Sequence, residues 1–193
     1  MLYSRLPNSS DGKVTSITEK EFLAVIGDGS RNVGQLLQDN RRNSLYHALV
    51  VRDFPKRLGY IPAAGERYVV HRIGNHIKGT RFIDSNNHIT AKLNEMFTEM
   101  GKDIEGVYYG RYDLKVPSYE ALEAGEDIKI FELNGVSSEP GHIYDQSNVF
   151  KAYYGIAEHW LRLIEISHQN IKKRVKTTPL SVFFKRVIAH FFT

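Results

Sequence analysis

The chain has 193 residues, 41% hydrophobic and 25% charged, with no cysteine; it is long enough to bury one substantial core, and it excludes a disulfide framework, a thiolate zinc site and a cysteine nucleophile. No chemistry here requires an oxidising compartment, no stretch nears the ~18 to 20 apolar residues of a spanning helix, and the opening MLYSRLPNSSDGK lacks a signal-peptide core, so a cytoplasmic location is expected. Much of the net charge of +4 sits in the segment 171–176, IKKRVK, and no basic stripe interleaved with aromatics marks another element, so nucleic acid is not an expected partner.

The first segment predicts a hairpin, in which LYSRL and the β-branched KVTSIT flank the turn-rich PNSSDG. A helix is expected from about Glu19 to Ala24, before the break at Gly27-Asp28-Gly29. Another is expected within RNVGQLLQDN, where Val33, Leu36 and Leu37 recur at helical spacing behind a Ser30 cap. RYVVHRI and TRFID read as a strand pair joined by GNHIKG. ITAKLNEMFTEM puts Ile89, Leu93, Met96, Phe97 and Met100 on one helical face, with Gly101 as its stop. GVYYGRYDLKV and DIKIFELNG read as two strands around a small helix that Ser118 caps and Gly125 ends. From Val149 to about Arg174 one long helix is predicted, whose stripe of Tyr153, Ile156, Trp160, Leu163, Ile164 and Ile166 should cover a sheet face. The terminal SVFFKRVIAHFF is short, apolar and basic. Covering exposed sheet or a partner subunit is the commoner use of such a stretch, and contact with a membrane surface the rarer one. The class expected is α+β, an antiparallel sheet backed by helices.

Strand parity selects the candidate chemistry. Side chains two apart share a face, so Arg111, Asp113 and Lys115 stand together on one strand, and Glu132 and Asn134 on the next. If these strands are neighbours, Asp113, Glu132 and Asn134 converge as two carboxylates and a carboxamide, a hard-oxygen set suited to magnesium or manganese held against phosphates. Arg111 would then stand where a guanidinium stabilises developing phosphoryl charge. Spacing alone favours solvated charges on an open sheet face, with Asn134-Gly135 merely a turn. In GNHIKG, Asn75, His76 and Lys78 are candidate nucleotide or substrate contacts or parts of a plain loop, with Lys78 a point charge for phosphate. Lys20 either points into the same cleft or lies exposed; His142 either contacts an acceptor substrate or holds its loop, and Glu139 stands beside it.

The stretch GVYYGRYDLKVPSYEALEAGEDIKIFELNGVSSEPGHIYD resembles the C-terminal catalytic segment of ATP-grasp enzymes, in particular a bacterial group of uncharacterised D-alanine:D-alanine-ligase-like, carboxylate-amine ligase proteins. The resemblance runs from about Leu2 to Asn170. It implies that Asp113, Glu132 and Asn134 bind the magnesium bridging ATP phosphates and that Arg111 contacts the phosphate or acyl phosphate. ATP is implied as cosubstrate, with a small carboxylate as the group activated and an amine or thiol as its acceptor. Residues 1–174 would form a partial ATP-grasp domain and 175–193 an amphipathic tail. The lobe that supplies a glycine-rich loop and phosphate-binding lysines in that superfamily has no counterpart in the chain, so another chain is an expected source of it. The alternative is a noncatalytic module that keeps the metal-lobe fold.

Overall fold

The computed structural model of the protein describes residues 1–102, 104–145 and 148–192. Its elements in chain order are β1 (Leu2–Arg5), β2 (Gly12–Ser16), β3 (Thr18–Glu21), β4 (Ala24–Ile26), α1 (Val33–Asp39), α2 (Arg41–Ser44), α3 (His47–Asp53), β5 (Arg67–Val69), β6 (Arg81–Asp84), α4 (Ala91–Lys102), β7 (Tyr109–Lys115), α5 (Tyr119–Ala124), β8 (Lys129–Asn134), α6 (Val149–Lys172) and α7 (Leu180–Phe192). The class is α+β with antiparallel pairing in every sheet. The main sheet has the order β2-β1-β7-β8, and β3-β6 and β4-β5 form two-stranded ribbons.

The apolar residues bury themselves in two clusters. Tyr3, Val14 and Tyr112 project from one face of the main sheet onto Leu93 and Phe97 of α4 and Leu122 of α5, with the Phe97 and Tyr112 rings edge to face at 5.3 Å. Leu23, Val25, Val33, Leu36, Leu37, Val50 and Val70 form the second cluster, between the β4-β5 ribbon and α1 and α3. The helix α5 fits its expectation: the Ser118 side chain accepts from Ala121 N, and Gly125 closes the helix in the left-handed region at φ 73°.

Several local expectations are corrected. Residues expected as a helix from Glu19 are strands, because Thr18–Glu21 pairs with Asp84–Arg81 and leaves Leu23 and Val25 to point alternately into the second cluster. RYVVHRI and TRFID do not pair with each other: β5 joins β4 and β6 joins β3, and GNHIKG is a tight turn of its own. The cap of α1 is Asn32, in a reciprocal box with Gln35, while the Ser30 hydroxyl bonds Asp28. Gly101 does not stop α4, which continues to Lys102; it lies inside the helix, where a Cβ would stand 3.3 Å from the Tyr3 ring. In α6 the buried line is Gly155, His159, Leu163 and Ile166. Tyr153 and Trp160 of the expected stripe are 70% and 52% exposed. Tight approach of the backbone at Gly155 turns the helix so that its small residue faces inward and its large aromatics face out.

Candidate functional site

The pairing of β7 with β8 sets the site. Asp113 lies directly opposite Glu132 and Arg111 directly opposite Asn134, after which an irregularity between Asp113 and Leu114 shifts the register. All four side chains belong to the face of the sheet turned away from Tyr112 and the core, and directly opposed residues have Cβ atoms about 4.5–5.5 Å apart. Two like charges so placed repel in the absence of a cation.

The sequence supplies cations on one side. Lys20 Nζ, from the outer ribbon, lies 3.0 Å from Asp113 Oδ2, and Arg111 Nε 3.6 Å from Asp113 Oδ1. Glu132, on the edge strand, is exposed and makes no hydrogen bond or ion pair among the described residues. Arg111 donates from a terminal nitrogen to the Glu139 carbonyl at 3.3 Å, while its Nε is buried without a hydrogen-bond partner. The Asn134 Nδ2 is likewise buried and unpartnered. This donor set fits a magnesium ion: it has two opposed carboxylates, one with no partner of its own, and a carboxamide whose two ends exchange by a simple flip. Among the described residues no group of three or more His, Cys, Asp or Glu side chains gathers as a metal cage, so protein oxygens would leave coordination positions open to phosphate or water.

The other candidates distribute around this centre. Lys78 is tied to Asp53 on α3 at 2.5 Å, and Asn75 caps its own turn through the Ile77 amide at 2.9 Å. Arg52 and Lys78 together hold the Asp53 carboxyl well below the usual carboxylate range. His76 packs with Phe82 and Tyr144 in a trio of rings 5.7 to 6.1 Å apart. That trio borders the charged centre, because Lys20 Nζ lies 5.8 Å from the Phe82 ring centre and the Tyr144 hydroxyl donates to Glu139 Oε2 at 2.6 Å.

His142 Nδ1 is 2.7 Å from the Ser16 hydroxyl, and its ring rests on Gly155 of α6, where a Cβ would stand 2.5 Å from Nε2. Burial lowers its pKa, as it does that of His159. Two site residues escape a reading by motif. Tyr109 shares the face of Arg111 by parity, and its hydroxyl donates to the Ser138 carbonyl at 2.6 Å and stands 3.1 Å from His159 Nδ1; burial pushes its pKa up to about 12. Tyr144 carries no sequence signal beyond its place in EPGHIYD. Between α6 and the sheet lies a cavity of about 440 Å³, lined in part by Lys13, Tyr109, His142, His159, Arg162 and Glu165.

No protein-family model matches the chain, and no curated protein matches it. Among solved structures, a bifunctional glutathione synthetase from Pasteurella multocida is similar at 15% identity and a TM-score of 0.48, over 82% of this chain and 24% of that one. The chain thus spans about a quarter of that protein's length.

Proposed function

We propose that the chain carries the metal- and phosphate-binding part of an ATP-dependent ligase of ATP-grasp type, in which a carboxylate is activated as an acyl phosphate and joined to an amine or thiol. The observation that carries this reading is the pairing of Asp113 with Glu132 and of Arg111 with Asn134 on the sheet face turned away from the Tyr112 core. Asp113, Glu132 and Asn134 would hold magnesium, which when bound supplies charge neutralisation to the transferring phosphoryl group. Lys20, now on Asp113, would turn its ammonium to phosphate once that carboxylate is engaged. Arg111, with an unused Nε donor, would stabilise the charge on the transferred group. His76 and His142 remain proposed substrate contacts, His142 as a neutral imidazole already oriented by Ser16. Asn75 and Lys78 would contribute through the turn that carries them.

One observation favours a second reading, a binding module without turnover: Lys20 and Arg111 already balance Asp113 within the chain. Isothermal titration with Mg-ATP, followed by an ADP-release assay over candidate carboxylates and amines, separates the two. Magnesium-dependent nucleotide binding that Asp113→Asn abolishes supports the shared site. Release of ADP adds the ligase reading, and binding without release leaves the module. Nucleotide binding indifferent to magnesium and to Asp113→Asn would overturn both.

A further inference from the structure

The helix α7 belongs to neither buried cluster and packs against neither. Leu180, Phe183, Phe184, Val187 and Ile188 recur along it at the spacing of a single helical face. Four of them are open to solvent, Leu180 at 73%, Phe183 at 52%, Phe184 at 56% and Ile188 at 57%, and Val187 is half-buried. At about 100° per residue, Lys185 and Arg186 fall roughly 130° to either side of that face, where long basic side chains reach back towards its edges.

Charge identifies what covers this face. After Glu165 the sequence contains no Asp or Glu, whereas Lys172, Lys173, Arg174, Lys176, Lys185 and Arg186 all follow it. A second copy of the chain laid on α7 would bring two such basic tails together, so charge opposes self-association through this face. An acidic surface with an apolar layer beneath it answers both features. No helix among the described residues is long and apolar enough to cross a membrane, and at 13 residues α7 spans about 20 Å against a hydrocarbon core of about 30 Å.

We infer that α7 is an interfacial helix that docks the protein on an anionic lipid bilayer, apolar face down, with the basic segment 172–176 and the Lys185 and Arg186 side chains on the headgroups. The inference stands independently of the ligase reading.

Sedimentation of the full chain with vesicles tests it. The chain should pellet with mixed phosphatidylcholine and phosphatidylserine vesicles and stay in solution with phosphatidylcholine alone, and rising salt should release it. Lys185→Gln with Arg186→Gln should weaken binding about thirtyfold, on the usual worth of a basic residue near an anionic surface. Phe184→Ser with Ile188→Ser should abolish it. These positions are solvent-exposed, and circular dichroism and melting of the variants would verify that the fold is kept. Failure to pellet with either vesicle, equal binding to neutral vesicles, unaltered binding by the Phe184 and Ile188 variant, or self-association through α7 in place of vesicle binding would overturn the inference.

Discussion

Substituting Glu132→Gln should have effects of opposite sign without and with a divalent ion. In the free protein, Glu132 faces Asp113 directly across β7 and β8. Directly opposed cross-strand pairs are worth roughly 0.2–1 kcal/mol, and like charges act in the destabilising direction. Lys20 and Arg111 already offset the charge of Asp113, which places the repulsion at the lower end. Removing it should therefore stabilise the free protein by about 0.2–0.5 kcal/mol, or ~0.5–2 °C for a chain of this size. Magnesium at ten times its dissociation constant stabilises the native state by about 1.4 kcal/mol, or ~3–6 °C. Glu132→Gln should lose most of that gain. Scanning calorimetry of both proteins with and without magnesium reads the two effects together. A variant that melts lower without the ion, or that keeps the full magnesium-induced rise, would refute the reasoning.

Gly12→Ala should destabilise by about 1–3 kcal/mol, the usual cost of overpacking a core, because its Cβ would stand 2.0 Å from the hydroxyl of the fully buried Tyr3; chemical denaturation measures it, and an unchanged midpoint would contradict this packing. Burial lowers the pKa of folded His142 and His159 from the ordinary 6.5, so the unfolded chain binds more protons just below pH 6.5. Stability should therefore be flat in this respect above that pH and fall as pH drops through it; His142→Gln, which keeps a partner for Ser16, should flatten part of the dependence in melting curves taken across that window. Trp160 is the one tryptophan of the chain and 52% exposed, so its fluorescence should be red-shifted and readily quenched by acrylamide, whereas a blue-shifted, protected emission would show the α6 stripe turned inward.

Short-range rules made some of this architecture legible and not the rest. Turn residues and parity define the β1-β2 hairpin, the small helix between Ser118 and Gly125, and the shared face of Arg111 with Asp113 and of Glu132 with Asn134, because each depends on spacing within a few residues; that the two pairs meet depends on β7 lying beside β8. The β3-β6 and β4-β5 ribbons are not legible that way: Thr18–Glu21 is a strand only because Arg81–Asp84, some sixty positions on, pairs with it. Rotation of α6 was equally hidden, since its apolar residues occupy more than one face and the choice falls to Gly155 meeting His142. Lys20 reaches Asp113 through that same distant pairing, so its partner could not be named from local sequence. Tyr109 could have been found by parity alone.

Whether Asp113, Glu132 and Asn134 hold one divalent ion against a nucleotide is read most directly from crystals grown with manganese and a non-hydrolysable ATP analogue. A manganese anomalous-difference peak should lie between these three side chains, with the metal about 2.0–2.3 Å from their oxygens and Lys20 swung from Asp113 towards phosphate. Nucleotide bound with its metal elsewhere, and Lys20 still on Asp113, would contradict it.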